Sequence, residues 1–152
     1  MVRVEESVTI NRPIEEVFAY LSDIERQEEW VSSLSESQKT TSGPTQVGTR
    51  FRQVVKLLGR RIDIDCEIAA YEPPTVYAFS GKNGPMTMEM RFTLASEGPA
   101  TTVRQVAEGQ SGGAFKLADP ILARTMQKQF AADLETLKTM LESGVATEAV
   151  PS

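Results

Sequence analysis

Histidine is absent from the 152 residues, and cysteine occurs once, at Cys66. The first absence removes the commonest general base and the commonest zinc ligand, and the second excludes an internal disulfide. Ser-His-Asp and Cys-His chemistry are excluded with them. Long apolar runs are missing too. No stretch approaches the roughly 20 residues of a membrane span, and the opening MVRVEESVTI lacks an apolar signal region. A cytoplasmic location is expected. Positive charge is in deficit, 16 Lys and Arg against 21 Asp and Glu, for a formal charge of -5. That balance argues against nucleic acid or an anionic membrane surface as partner.

What is present, 40% hydrophobic and 24% charged residues, suits one domain with one core. Residues 2 to 10 alternate, with Val2, Val4, Val8 and Ile10 on one face, and predict a strand. Glu6 interrupts that face, which suggests a bulge. In NRPIEEVFAYLSD the period changes: Pro13 suits a first helical turn, and Ile14, Val17, Phe18 and Leu21 form one apolar face. Asp23 can cap a second short helix ending near Trp30. From Leu34 to Gly109, strands alternate with turns at GPTQVG, LLGR, EPP, GKNGP and SEGPA. Around Gly59, pairing Val55 with Ile62 sets Gln53 opposite Ile64 and Phe51 opposite Cys66. The other face then sets Arg52 opposite Asp65 and Arg50 opposite Glu67, so hydrophobicity and charge agree on one register. A two-residue turn at Asn83-Gly84 pairs Phe79 with Met88 and Tyr77 with Met90. Val103, Gln105 and Ala107 point inward on the last strand. Asp119-Pro120 opens a long helix to about Glu142, terminated by Gly144. Its stripe is Leu122, Met126, Phe130, Leu134, Leu137 and Leu141, and at about 100° per residue Asp133 falls inside that arc with Gln129 at its edge.

This order gives an α+β fold. A seven-stranded curved antiparallel sheet with one apolar face is wrapped round the long C-terminal helix, and two short helices follow strand 1. The domain is expected over residues 1–143, with 144–152 a disordered tail.

The stretches "INRPIEEVFAYLSDIERQEEW", "VGTRF", "YEPP" and "ADLETLKTMLE" resemble the START-like, or SRPBCC, superfamily, closest to its polyketide cyclase/dehydrase branch, over about residues 3–142. The resemblance implies a helix-grip fold with a cavity between sheet and helix. Its members bind lipids, sterols, quinones, hormones or polyketides; others are cyclases, and some act on partner proteins. A small hydrophobic ligand is the expected partner, to a monomer or weak homodimer. Aromatase/cyclase or dehydratase activity and a protein-interaction module are the alternatives.

The run GPMTMEMRF, with Met86, Met88 and Met90 at every second position, then gains a meaning. Flexible thioethers suit a space whose filling changes. These three, with Met126, are expected to line the cavity together with Phe51, Gln53, Val55, Ile64, Cys66, Tyr77, Phe79, Gln105, Phe130 and Asp133. Asp133 and Tyr77 are the candidate acid and base, with Asp133 alternatively held by Arg50 or Arg52. Asp63, Asp65 and Glu67 share a strand face, but the arginines opposite read as an ionic surface, so neither a metal nor a cofactor is expected. Cys66 reads as a small buried hydrophobe, and Trp30 and Tyr71 as packing anchors. The entrance is expected at residues 22–33, 81–85 and 109–118.

Overall fold

In chain order the elements are β1 (Val2–Ile10), α1 (Ile14–Leu21), a 3-10 helix (Ile24–Glu29), β2 (Leu34–Lys39), β3 (Arg50–Leu57), β4 (Arg60–Glu72), β5 (Val76–Asn83), β6 (Met86–Glu97), β7 (Ala100–Gln110) and α2 (Pro120–Glu142). The computed structural model describes residues 2–57, 59–84, 86–110 and 120–144, without the side chains of 2, 57, 110 and 120–122. The expected N-cap Asp119, the tail beyond 144 and the side chain of Leu122 lie outside the described residues. The strands make one antiparallel sheet in the order β1-β7-β6-β5-β4-β3-β2, so β2 to β7 meander and β1 joins the far edge beside β7. With α2 against its inner face, this is the helix-grip arrangement.

Alternation sets which face is buried. On β1, Val4 and Ile10 are buried and Val8 is half-buried. Glu6 sits opposite Gln105 in an unbroken register, so no bulge displaces it, contrary to expectation. It stays half-buried on the inner face. The β3–β4 register matches the expected one, with Phe51 opposite Cys66, Gln53 opposite Ile64 and Val55 opposite Ile62. On the outer face Arg50 reaches Glu67 at 3.2 Å, whereas Arg52 reaches diagonally to Asp63 at 3.3 Å rather than to its Cα partner Asp65. Both pairs are exposed, and such pairs contribute little.

The β5–β6 hairpin corrects the predicted pairing by two residues. Phe79 faces Met90, Gly81 faces Met88, and Asn83 faces Met86. Placing the turn at Asn83-Gly84 would have made residue 85, a proline, one of the closing pair, where an N–H is needed to bond across the strands. Because the slip is even, every side chain keeps its face, and the aromatic rings still share a side with the methionines. Gly81 packs tightly: a Cβ there would stand 2.7 Å from Ile64 Cγ2 and 3.3 Å from Met88 Cγ.

Two helices plug one end of the sheet. Val17, Phe18 and Leu21 of α1 are buried, and the Phe18 ring lies 5.5 Å from that of Tyr71. The Asp23 carboxylate accepts the Glu25 N–H at 3.3 Å, starting the 3-10 helix that delivers Trp30 to the core, where its ring meets Phe92 edge-on at 6.0 Å. Helix α2 runs closest to β1 and buries Leu134, Leu137 and Leu141. Its last turn is clasped from the β1–α1 corner. Arg12 Nε donates to the Leu141 carbonyl at 3.0 Å and Nη2 to that of Glu142 at 2.9 Å, while the Asn11 N–H donates to Glu142 Oε2 at 2.8 Å. Carbonyls at a helix end lack intrahelical donors, and a guanidinium also suits the negative pole. Gly144, at φ 83°, then ends the helix as expected. Arg12→Ala is expected to lower the unfolding free energy by about 1.5–3 kcal/mol. Urea denaturation at unchanged m-value measures the loss, and a variant as stable as the parent would show the clasp to be idle.

Candidate functional site

Between the inner sheet face and the first half of α2 lies a cavity of about 170 Å³. It exists because α2 packs tightly only in its second half: Leu134, Leu137 and Leu141 are buried, whereas Met126, Gln129 and Phe130 are half-buried and line the void. The remaining wall comes from the sheet and from Val31, Ser33 and Leu34 after the 3-10 helix. The volume is below the roughly 300–1,000 Å³ typical of small-molecule pockets. Met86 and Met88 on the sheet and Met126 on the helix are half-buried at its surface, and their rotation is the available route to more room.

Most of the residues expected on the lining are there. Gln53 and Val55 of β3, Ile64 of β4 and Phe79 of β5 form one side. Met86, Met88 and Met90 of β6, Gln105 of β7 and Met126, Phe130 and Asp133 of α2 complete it. Phe51, Cys66 and Tyr77 do not line the cavity. They sit on the same sheet face but within packed core. Phe51 and Phe79 meet edge-on at 5.2 Å, and Tyr77 stacks on Phe92 at 6.2 Å, so the aromatic rings fill that end of the sheet. Alternation assigns a face but not a position along the cavity. Of the residues missed, Val4, Ile62, Phe92 and Ala107 carry the inner-face parity already legible in the strands. Gln27 and Val31 come from the 3-10 helix and its exit, whose placement no period reveals. The expected entrance segments contribute Gln27, Val31, Ser33, Gly81, Lys82, Asn83 and Gly109, while 85 and 111–118 lie outside the described residues.

The polar lining is specific. Gln53 Nε2 donates to Gln27 Oε1 at 2.8 Å and to Ser37 Oγ at 3.3 Å, closing a buried knot between β3, β2 and the 3-10 helix. Gln105 Nε2 donates to Met90 Sδ at 3.2 Å. Asp133 meets no arginine, because Arg50 and Arg52 are engaged on the outer face. Its Oδ1 instead accepts the Ser32 N–H at 3.1 Å and the Ser32 hydroxyl at 2.9 Å, tying α2 to the segment after the 3-10 helix. Burial raises the Asp133 pKa above its ordinary 3.8, against the lowering effect of the two Ser32 bonds. Burial likewise raises the Tyr77 phenol and pushes the Cys66 thiol up to about 12, so neither is ionised near neutrality. Tyr77 does not line the cavity, and its hydroxyl is buried without a hydrogen-bond partner among the described residues. Among the described residues no cluster of three metal-ligating side chains occurs.

The model of the family described as polyketide cyclase/dehydrase and lipid transport matches residues 1–142. The chain belongs to that family. Solved structures agree in architecture. A START superfamily protein from Mycobacterium smegmatis superposes at TM-score 0.78 with 14% identity, covering 94% of this chain and 99% of that one. The Zhui aromatase/cyclase from Streptomyces sp. R1128 gives 0.77 and 17%, with 98% of both chains covered. The di-domain aromatase/cyclase BexL gives 0.73 and 14%, covering 95% of this chain and 48% of that one. At such identities the likeness is one of fold. No curated protein matches the sequence.

Asp133 sets a pH dependence with a definite sign. Its folded pKa is raised, so the folded state holds the proton longer than the unfolded chain, and its contribution to stability falls as pH rises through the window above 3.8. Asp133→Asn keeps an oxygen for Ser32 and has no proton to lose. The variant is expected to gain stability relative to the parent as pH rises through that window. Paired urea titrations from pH 3 to 8 read this difference, and parallel curves would reject the raised pKa.

Proposed function

We propose that the protein binds a small hydrophobic molecule, lipid-like, quinone-like or polycyclic in the manner of a polyketide, between the sheet and α2. The observation that carries this reading is the apolar cavity with methionines from two opposed elements on its wall. Hydrophobic contact supplies affinity without direction, and the buried polar groups at the wall orient what enters. Family membership supports ligand binding in general and leaves the ligand to be named. A binding surface for a protein partner has less support, since Val47 is the one exposed large hydrophobic residue among those described. No helix among the described residues is long and apolar enough to cross a membrane. A cytoplasmic monomer or weak homodimer completes the reading, in keeping with the single reduced cysteine.

A second reading is favoured by Asp133, a carboxyl group with a raised pKa on the cavity wall. Such a group can shuttle a proton in cyclisation or dehydration of a polyketide-like substrate. With Tyr77 off the lining, Asp133 would act without that partner. Turnover of a poly-β-keto substrate by the parent and its loss in Asp133→Asn would support catalysis, and equal turnover in both would remove Asp133 from it.

For binding, N-phenyl-1-naphthylamine serves as the apolar probe. Its fluorescence is expected to rise with the protein, and Phe130→Ala to weaken affinity about tenfold through lost contact area, with Met88→Ala roughly three- to tenfold. Folded variants with unchanged affinity would show that the probe lies elsewhere.

A further inference from the structure

Two acceptors on the cavity wall, Asp133 Oδ2 and Gln105 Oε1, have no hydrogen-bond donor among the described residues. Both Gln53 amide hydrogens have partners, in Gln27 and Ser37. The Ser32 hydroxyl and N–H are both committed to Asp133 Oδ1, and among the described residues no donor reaches Asp133 Oδ2. Asp133 is only 3% exposed and lines the cavity. Gln105 shows the same imbalance. Its neighbour at 3.2 Å is the Met90 thioether, which accepts hydrogen bonds and cannot donate them, so the amide nitrogen must face sulfur. That orientation leaves Gln105 Oε1 buried without a partner on a residue 4% exposed that also lines the cavity. Lys56 and Lys82 reach the lining too, but both are exposed, and among the described residues neither bonds to either acceptor.

A buried acceptor without a donor, such as Gln105 Oε1, is costly, and a site that carries one discriminates strongly between ligands that do and do not supply the missing hydrogen; Asp133 Oδ2 is a second acceptor at the wall, less deeply buried. We infer that the cavity selects apolar molecules bearing a hydroxyl group, a phenol or an alcohol, over the matching ether, carbonyl compound or hydrocarbon. Asp133 Oδ2 and Gln105 Oε1 are the acceptors that read the hydroxyl hydrogen. The inference rests on the binding reading above and narrows it, favouring a hydroquinone or phenol over its oxidised or methylated form. An ether or ketone oxygen brought to Gln105 Oε1, or to Asp133 Oδ2 in its ionised form, would place lone pair against lone pair.

The test is a matched series of 1-naphthol, 1-methoxynaphthalene and naphthalene, bound to the full chain by equilibrium dialysis at pH 7. The parent protein is expected to hold 1-naphthol at least about tenfold tighter than the other two, the effect of one satisfied buried acceptor. Asp133→Asn keeps its oxygen on Ser32 and turns an N–H donor to where Oδ2 stood. If Asp133 reads the hydroxyl, the preference for naphthol over the ether falls to within about twofold in that variant. If Gln105 does, it falls in Gln105→Met, which has similar length and no acceptor carbonyl. Equal affinities for all three compounds in the parent would overturn the inference and leave the cavity as a binding site. Retention of the full preference in both variants would overturn it as well. Binding of none of the three would overturn both the inference and the reading on which it rests. The parent series decides the matter even if a variant does not fold.

Discussion

One helix has to cover a face that is wider than itself. Seven strands at the usual spacing span about 29 Å from first to last, whereas a helix with its side chains is about 10–12 Å across. Curling of the sheet narrows the gap without closing it, and α1 with the 3-10 helix fills one end through Phe18, Leu21, Ile24 and Trp30. What remains is shared unequally along α2. Its second half is drawn down by three buried leucines and by Arg12 on the terminal carbonyls. Its first half, up to the turn where Asp133 is held by Ser32, stands off from the sheet. The cavity is the space between those two conditions.

The side chains at that space differ in kind from those of the core proper. Where the sheet is fully covered, the contacts are among rings: Phe51 with Phe79, Tyr77 with Phe92, Trp30 with Phe92. Rings have two torsions and fit one arrangement well. At the open end they give way to methionine, which adapts, and to the buried polar groups Gln53, Gln105 and Asp133. Gln53 is paired through Gln27 and Ser37. Gln105 and Asp133 are paired in part, through Met90 and Ser32 respectively.

Local pattern reached far into this structure. Period-2 alternation placed inner and outer faces on the strands, and the charge match of Arg50 with Glu67 fixed the β3–β4 register as found. The β5–β6 register lies two residues from the one the Asn83-Gly84 turn signal predicts, because the proline that follows cannot supply the N–H of that closing pair. The error left the faces unchanged, since a period of two forgives an even slip. The helical stripe likewise exposed Asp133 as an acid among apolar neighbours, before any partner for it could be named.

The sequence by itself determined the order of elements, the sidedness of each strand and the apolar stripe of α2, because these depend on residues a few positions apart. Tertiary structure alone decided which inward-facing side chains meet a void and which meet each other. Phe51, Cys66 and Tyr77 carry the same parity as Gln53, Ile64 and Phe79, yet the first three are packed away and the second three line the cavity. It also decided that Asp133 bonds to Ser32, about a hundred residues earlier in the chain, rather than to an arginine. Those outcomes depend on where along the sheet a separate helix comes to rest and on which end of it Arg12 holds. No periodicity encodes such a distance, because it is set by the summed packing of elements far apart in the chain.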